Sequence, residues 1–136
     1  ENDKNITKKI KILNKFRIQF NKKIKKLLLK IKMQNMKVYA MGAAPRACVL
    51  LNSSKITKKE VGIVGEVSSS LKCNKYVPGT DIMVKDEKKI IEDKPNYVII
   101  LAWHLKKRII ELLLKKKYRG DFIIPLPNLK VVKNKS

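Results

Sequence analysis

Histidine occurs once in the chain and cysteine twice, and this scarcity is the first constraint on its chemistry. A zinc centre needs four nitrogen or sulfur ligands, or three and a water. Cys48, Cys73 and His104 lie far apart with no CxxC spacing, so no metal site is expected. The cysteines read as free thiols of a reducing compartment. Aromatic residues make up 6% of the chain, too few for a platform on which nucleic-acid bases stack. No zinc-finger spacing, GxxG loop or RRM-type aromatic motif is present. The longest apolar run, Tyr97 to Trp103, falls far short of the roughly 20 residues that span a bilayer. The polar, lysine-rich N-terminus contains no apolar core of a secretory signal, and a cytoplasmic chain is expected.

Acidic residues are also scarce, 11 against 33 lysines and arginines, for a net charge of +22. Such an excess invites a polyanion, because cations near phosphates release counterions. Here the charge is mostly lysine and spread along the whole chain, with arginine only at Arg17, Arg46, Arg108 and Arg119. That distribution predicts non-specific, salt-sensitive adhesion to polyanions rather than a specific nucleic-acid site.

The 136 residues, 44% hydrophobic and 32% charged, suit one globular domain that buries roughly two-thirds of its unfolded surface. Residues 1–36 form a lysine-rich N-terminal segment. Within it Ile6, Ile10, Leu13, Phe16, Phe20, Ile24, Leu27, Leu28 and Ile31 recur at three- and four-residue steps. This spacing predicts one long amphipathic helix, either packed on a sheet or preceding domain or lying on an anionic membrane.

From Lys37 onward the period changes. Strands are expected at 37–41, 61–67, 81–84, 96–102, 121–126 and 131–132. Helices are expected from Pro45 to Leu51, from Asp86 to Glu92, and from His104 to Lys117, with Gly120 closing the last. Residues 133–136 read as a frayed tail. Strands alternating with helices give an α/β fold: a Rossmann-like open parallel sheet with flanking helices, spanning 37–132. Ligands of such sheets sit beyond the carboxyl ends of the strands. That rule selects three loops: Gly42 to Arg46, Glu66 to Thr80, and Trp103-His104.

In the first loop, Gly42-Ala43-Ala44-Pro45 is a small-residue turn before a helix start, where backbone amides can face an anion. Arg46 follows, able to fork onto a phosphate or carboxylate. The alternative is a plain tight turn with an exposed arginine. Glu66 ends the second strand, where dinucleotide folds place an acid on ribose hydroxyls; a solvated carboxylate is the other reading. Lys72 and Tyr76 precede the turn Pro78-Gly79-Thr80. His104 opens a helix whose dipole favours the neutral ring, and it reads as a hydrogen-bonding group or a helix cap. Trp103 beside it can stack on a ring or fill the core.

Taken in order, Gly42-Ala43-Ala44-Pro45-Arg46-Ala47 with Asn52, Glu66-Val67, Lys72, Lys75-Tyr76-Val77-Pro78-Gly79-Thr80, Pro95-Asn96-Tyr97-Val98, Leu101-Ala102-Trp103-His104 and Phe122-Ile123-Ile124-Pro125-Leu126-Pro127 resemble the C-terminal domain of the S-adenosylmethionine-dependent sugar C-methyltransferases. Asn74 stands where that family usually has glycine. The resemblance implies a substrate-side domain that faces a nucleotide-sugar in a cleft shared with a methyltransferase domain. It implies that S-adenosylmethionine is bound by a domain or partner other than this chain, and that no catalytic residue or metal ligand lies here. The substrate-side residues it carries over are Gly42, Ala43, Arg46, Asn52, Glu66, Lys72, Tyr76, Gly79, Thr80, Trp103 and His104. A non-catalytic basic protein that binds nucleic acid or anionic membrane through its lysine-rich helix is the competing expectation.

Overall fold

A computed structural model describes residues 2–67 and 70–134. Helix α1 (Asn2–Met33) leads into strand β1 (Val38–Met41), helix α2 (Pro45–Ser53), strands β2 (Ile63–Glu66) and β3 (Met83–Asp86), helix α3 (Lys88–Asp93) and strand β4 (Tyr97–Ile100). A 3-10 turn at Trp103–Leu105, helix α4 (Lys106–Lys115) and strands β5 (Asp121–Ile124) and β6 (Lys130–Val132) complete the order. The described strands form one sheet ordered β3-β2-β1-β4-β5-β6. All neighbours are parallel except β5 and β6, which pair antiparallel. The α/β expectation therefore holds, and the sheet is Rossmann-like in its strand order.

The central strands are apolar on both faces because both faces are covered. Side chains alternate across a strand, so β1 sends Val38 and Ala40 to one face and Tyr39 and Met41 to the other. Val38 and Ala40 join Val64, Ile99 and Ile123 in a core closed by Ile24, Leu28 and Ile31 of α1 and Leu50 and Leu51 of α2. Tyr39 and Met41 join Val98, Ile100, Phe122 and Ile124 under Ile90 of α3 and Ile109 and Leu113 of α4. The result is a three-layer helix–sheet–helix sandwich.

Helix α1 splits into two parts. From Phe20 onward its stripe packs on the sheet, with Ile24 and Leu28 fully buried. Asn21 Nδ2 donates to the Ser53 carbonyl at 3.1 Å, Lys25 Nζ to the Lys55 carbonyl at 2.6 Å, and Lys25 also pairs with Glu60. Before Phe20 the same stripe is bare: Ile6 is 55%, Ile10 51%, Leu13 67% and Phe16 65% exposed. At 1.5 Å per residue, the projecting part extends roughly 25 Å from the body.

All four described α-helices end in a left-handed residue other than glycine: α3 in Lys94 (φ 49°), directly before Pro95, and the other three in Asn35 (φ 58°), Lys55 (φ 53°) and Lys117 (φ 67°). Each of these last three is followed by an amide that reaches back into its helix: Met36 to the Ile31 carbonyl at 3.3 Å, Ile56 to Leu51 at 3.0 Å, and Tyr118 to Leu113 at 2.9 Å. These are Schellman closures. Gly120 therefore does not cap α4, contrary to expectation; Lys117 does. A Cβ at Gly120 would lie 2.0 Å from the Tyr118 hydroxyl and 2.6 Å from the Pro95 carbonyl. That glycine makes room for the Tyr118 hydroxyl to donate to the Pro95 carbonyl at 3.0 Å. The expected fraying at 133–134 gives way to anchoring, because the Asn134 amide donates to Asp121 at 2.9 Å and its side chain to the Tyr118 carbonyl at 2.9 Å. Residues 135–136 lie outside the described residues.

Candidate functional site

Strand order reverses direction between β1 and β4, and their tips touch. A Cβ on Gly42 (φ 100°) would lie 2.9 Å from the Ala102 Cβ and 3.2 Å from its amide nitrogen. Gly42 meets both requirements of this spot, a positive φ and room for a neighbouring strand. The chain then splays apart, and a cavity of about 610 Å³ opens at the carboxyl edge. Open α/β sheets bind ligands at such a reversal point.

Gly42, Ala43 and Ala44 form one wall of the cavity with Glu66, Val67 and Lys72. This wall is bonded to itself. The Ala43 amide donates to Glu66 Oε2 at 3.0 Å, the Val67 amide to Glu66 Oε1 at 3.3 Å, and Lys72 Nζ to the Ala43 carbonyl at 2.7 Å. The carboxylate thus lies along the turn and takes the Ala43 amide that an anion would otherwise use. Opposite stand Ala102, His104 and Leu105 and the α4 side chains Arg108, Glu111, Leu112 and Lys115. A smaller cavity of about 390 Å³ lies on the other side of the same turn, between Pro45, Cys48, Lys72, Lys75, Tyr76 and Pro78.

A family model described as the C-methyltransferase C-terminal domain matches residues 1–127. The chain belongs to the C-methyltransferase C-terminal domain family. No curated protein matches it. The match takes in the projecting part of α1 as well as β1 through β5 and leaves β6 outside.

Within this C-methyltransferase C-terminal domain the residues singled out by sequence separate into three groups. Gly42, Ala43, Glu66, Lys72 and His104 line the main cavity, and Tyr76 lines the smaller one. Asn52, Gly79 and Thr80 shape the framework. Asn52, one helical turn after Cys48, donates to the Pro78 carbonyl at 2.9 Å and to the Cys48 carbonyl at 2.7 Å. It lies so close to Gly79 (φ 79°) that a Cβ there would meet its side-chain oxygen at 2.4 Å. Thr80 closes its own turn, donating to the Val77 carbonyl at 2.8 Å and accepting from the Ile82 amide at 3.1 Å. Asn74 adopts the left-handed conformation (φ 66°). Arg46 is exposed and lines neither cavity. Trp103 is half-buried, edge-on to His104 with ring centroids 6.5 Å apart, and lines neither cavity.

The α4 wall was not anticipated from the loops. Arg108, Glu111 and Lys115 of α4 follow one another at steps of three and four, which places them on one helix face, and His104 of the preceding 3-10 turn lines the same cavity. The groups whose ionisation is displaced stand elsewhere. Burial and then the Asp93 hydrogen bond push the Tyr39 phenol up. Burial would raise the Glu60 carboxyl, but bonds from Lys25 and Thr57 outweigh it and hold the group below the usual range. Among the described residues no helix is long and apolar enough to cross a membrane.

Proposed function

We propose that this domain is the acceptor side of an S-adenosylmethionine-dependent sugar C-methyltransferase: it holds a nucleotide-sugar in the cavity at the β1–β4 reversal point. The observation that carries this reading is the convergence of the Gly42–Ala44 turn, Glu66, Lys72 and His104 on one cavity in a chain of the C-methyltransferase C-terminal domain family. Glu66 offers a carboxylate to sugar hydroxyls, and Lys72 offers an ammonium beside it. His104 adds a hydrogen-bonding ring on the far wall.

The donor fits this cavity poorly. Its walls hold Lys72, Arg108 and Lys115 against Glu66 and Glu111, an excess of cations that suits a diphosphate rather than a sulfonium. The Ala43 amide, already given to Glu66, is not free for the donor's amino-acid tail. When bound to its own domain or chain, the donor supplies the methyl group; the residues here bind and orient the acceptor.

Calorimetric titration with nucleoside diphosphate-sugars tests the reading. At least one is expected to bind at physiological salt, and Glu66→Ala is expected to weaken it roughly tenfold. S-adenosylmethionine alone is expected to give no heat of binding. Tight donor binding by this chain, or no response to any nucleotide-sugar, overturns the assignment.

A second reading attaches to α1. Lys4, Lys8, Lys9, Lys11, Lys15 and Arg17 line its projecting part against the single acid Asp3, and they supply the salt-sensitive adhesion to polyanions. Removing residues 1–17 is expected to weaken retention on heparin at low salt while leaving nucleotide-sugar binding unchanged.

A further inference from the structure

We propose that Arg108, assisted by Lys115, is the diphosphate-binding group of the main cavity, and that the Gly42–Ala44 turn receives hydroxyls instead. The inference rests on the nucleotide-sugar reading above and assigns the two ends of that ligand to opposite walls.

Two observations move the phosphates away from the turn. The Ala43 amide donates to Glu66 Oε2 at 3.0 Å and the Gly42 amide to the Gly65 carbonyl at 3.0 Å, so two donors of the turn are already satisfied. The satisfying group is itself a carboxylate, whose charge repels a phosphate and accepts hydrogen bonds from hydroxyls. Lys72 does not reverse this, because its ammonium is held on the Ala43 carbonyl at 2.7 Å.

The opposite wall has the complementary chemistry. Of the four arginines, Arg108 is the one that lines the cavity. A planar guanidinium binds phosphate oxygens in pairs. Its position is set by the packing of α4, since the next residue, Ile109, is 8% exposed and Leu113 fully buried against the sheet. Lys115 stands two turns further along the same face. Glu111 lies between them and lines the same cavity, so its carboxylate opposes the bound phosphates and limits their affinity. The ligand therefore spans the cavity, with sugar or ribose hydroxyls on Glu66 and the diphosphate along α4.

The test compares UDP and TDP with uridine and thymidine by calorimetry on the full chain at physiological salt. Each diphosphate is expected to bind roughly tenfold or more tighter than its nucleoside. Arg108→Ala with Lys115→Ala removes that advantage, Arg108→Lys retains part of it, and Glu111→Gln increases it. Lys94→Ala with Arg119→Ala removes the same charge at a separate cleft and is expected to leave the advantage intact. If nucleotides bind but the Arg108 and Lys115 pair is indifferent, or the Lys94 and Arg119 pair costs as much, this assignment fails while the nucleotide-sugar reading stands. If neither nucleotides nor nucleotide-sugars bind, both fail together. Circular dichroism of each variant confirms that the fold is retained.

Discussion

The two halves of α1 are written in the same residues and the same rhythm, yet only one is buried. Ile24, Leu28 and Ile31 of the second half are at most 3% exposed, whereas Ile6, Ile10, Leu13 and Phe16 of the first are all above half. Both sets occupy one continuous face. Periodicity therefore reports which side of a helix prefers to leave water, but not whether anything stands there to receive it. The sheet offers a seat about half as long as the helix, and the seated half is further secured by Lys25 on Glu60 and on the Lys55 carbonyl.

The contrast can be broken most forcefully at Leu28. Leu28→Ala is expected to cost about 3 kcal/mol by cavity formation in denaturant unfolding. The matched change Leu13→Ala is expected to stay within about 0.5 kcal/mol; a comparable loss at Leu13 would mean that the first half is also packed. Next in size is Glu60→Gln, which removes the ionic seat of Lys25 and is expected to cost roughly 2 kcal/mol at neutral pH. The sign of its pH dependence follows from the lowered Glu60 carboxyl. Its stabilisation is fully present above the ordinary carboxylate value of about 4.3 and is lost as pH falls through the lower folded value. Wild type and Glu60→Gln should thus converge in acid, and a constant gap down to low pH would contradict the ion-pair account.

A smaller gain is expected at Lys55, whose left-handed backbone (φ 53°) presents the carbonyl that Lys25 grips. Lys55→Gly keeps that carbonyl and relieves the side-chain clash, raising stability by about 0.5–1 kcal/mol. The smallest effect belongs to removal of residues 1–17, after which the melting temperature of the remaining body should be unchanged within error.

Much of this architecture was legible because it rests on local patterns. Strand β4 announced itself as an unbroken apolar run from Tyr97, since a strand covered on both faces has no polar side to alternate with. Asn74 announced its left-handed backbone by standing where the family resemblance expects glycine. Lys55, Lys94 and Lys117 gave no such signal, because lysine has no chemistry that marks a positive φ. Nor did the residues of β6 encode its reversed direction, which depends on how the chain returns from β5. At the site, alternation of strands and helices located the three loops, but a loop-by-loop view overlooked the far wall. The missing clue was phase: counting from Arg108 in steps of three and four reaches Glu111 and Lys115. Arg46 was attractive for its place after the turn, yet the helix points it into solvent.

The contact between Gly42 and Ala102 sets a gauge for whatever enters between the two walls. Because β1 and β4 are neighbours in the sheet, their spacing is fixed by backbone hydrogen bonds near 4.8 Å, and no side-chain exchange can widen the floor. Room for a bulkier ligand must then come from the walls above that floor, where Glu66 and Lys72 face the α4 side chains.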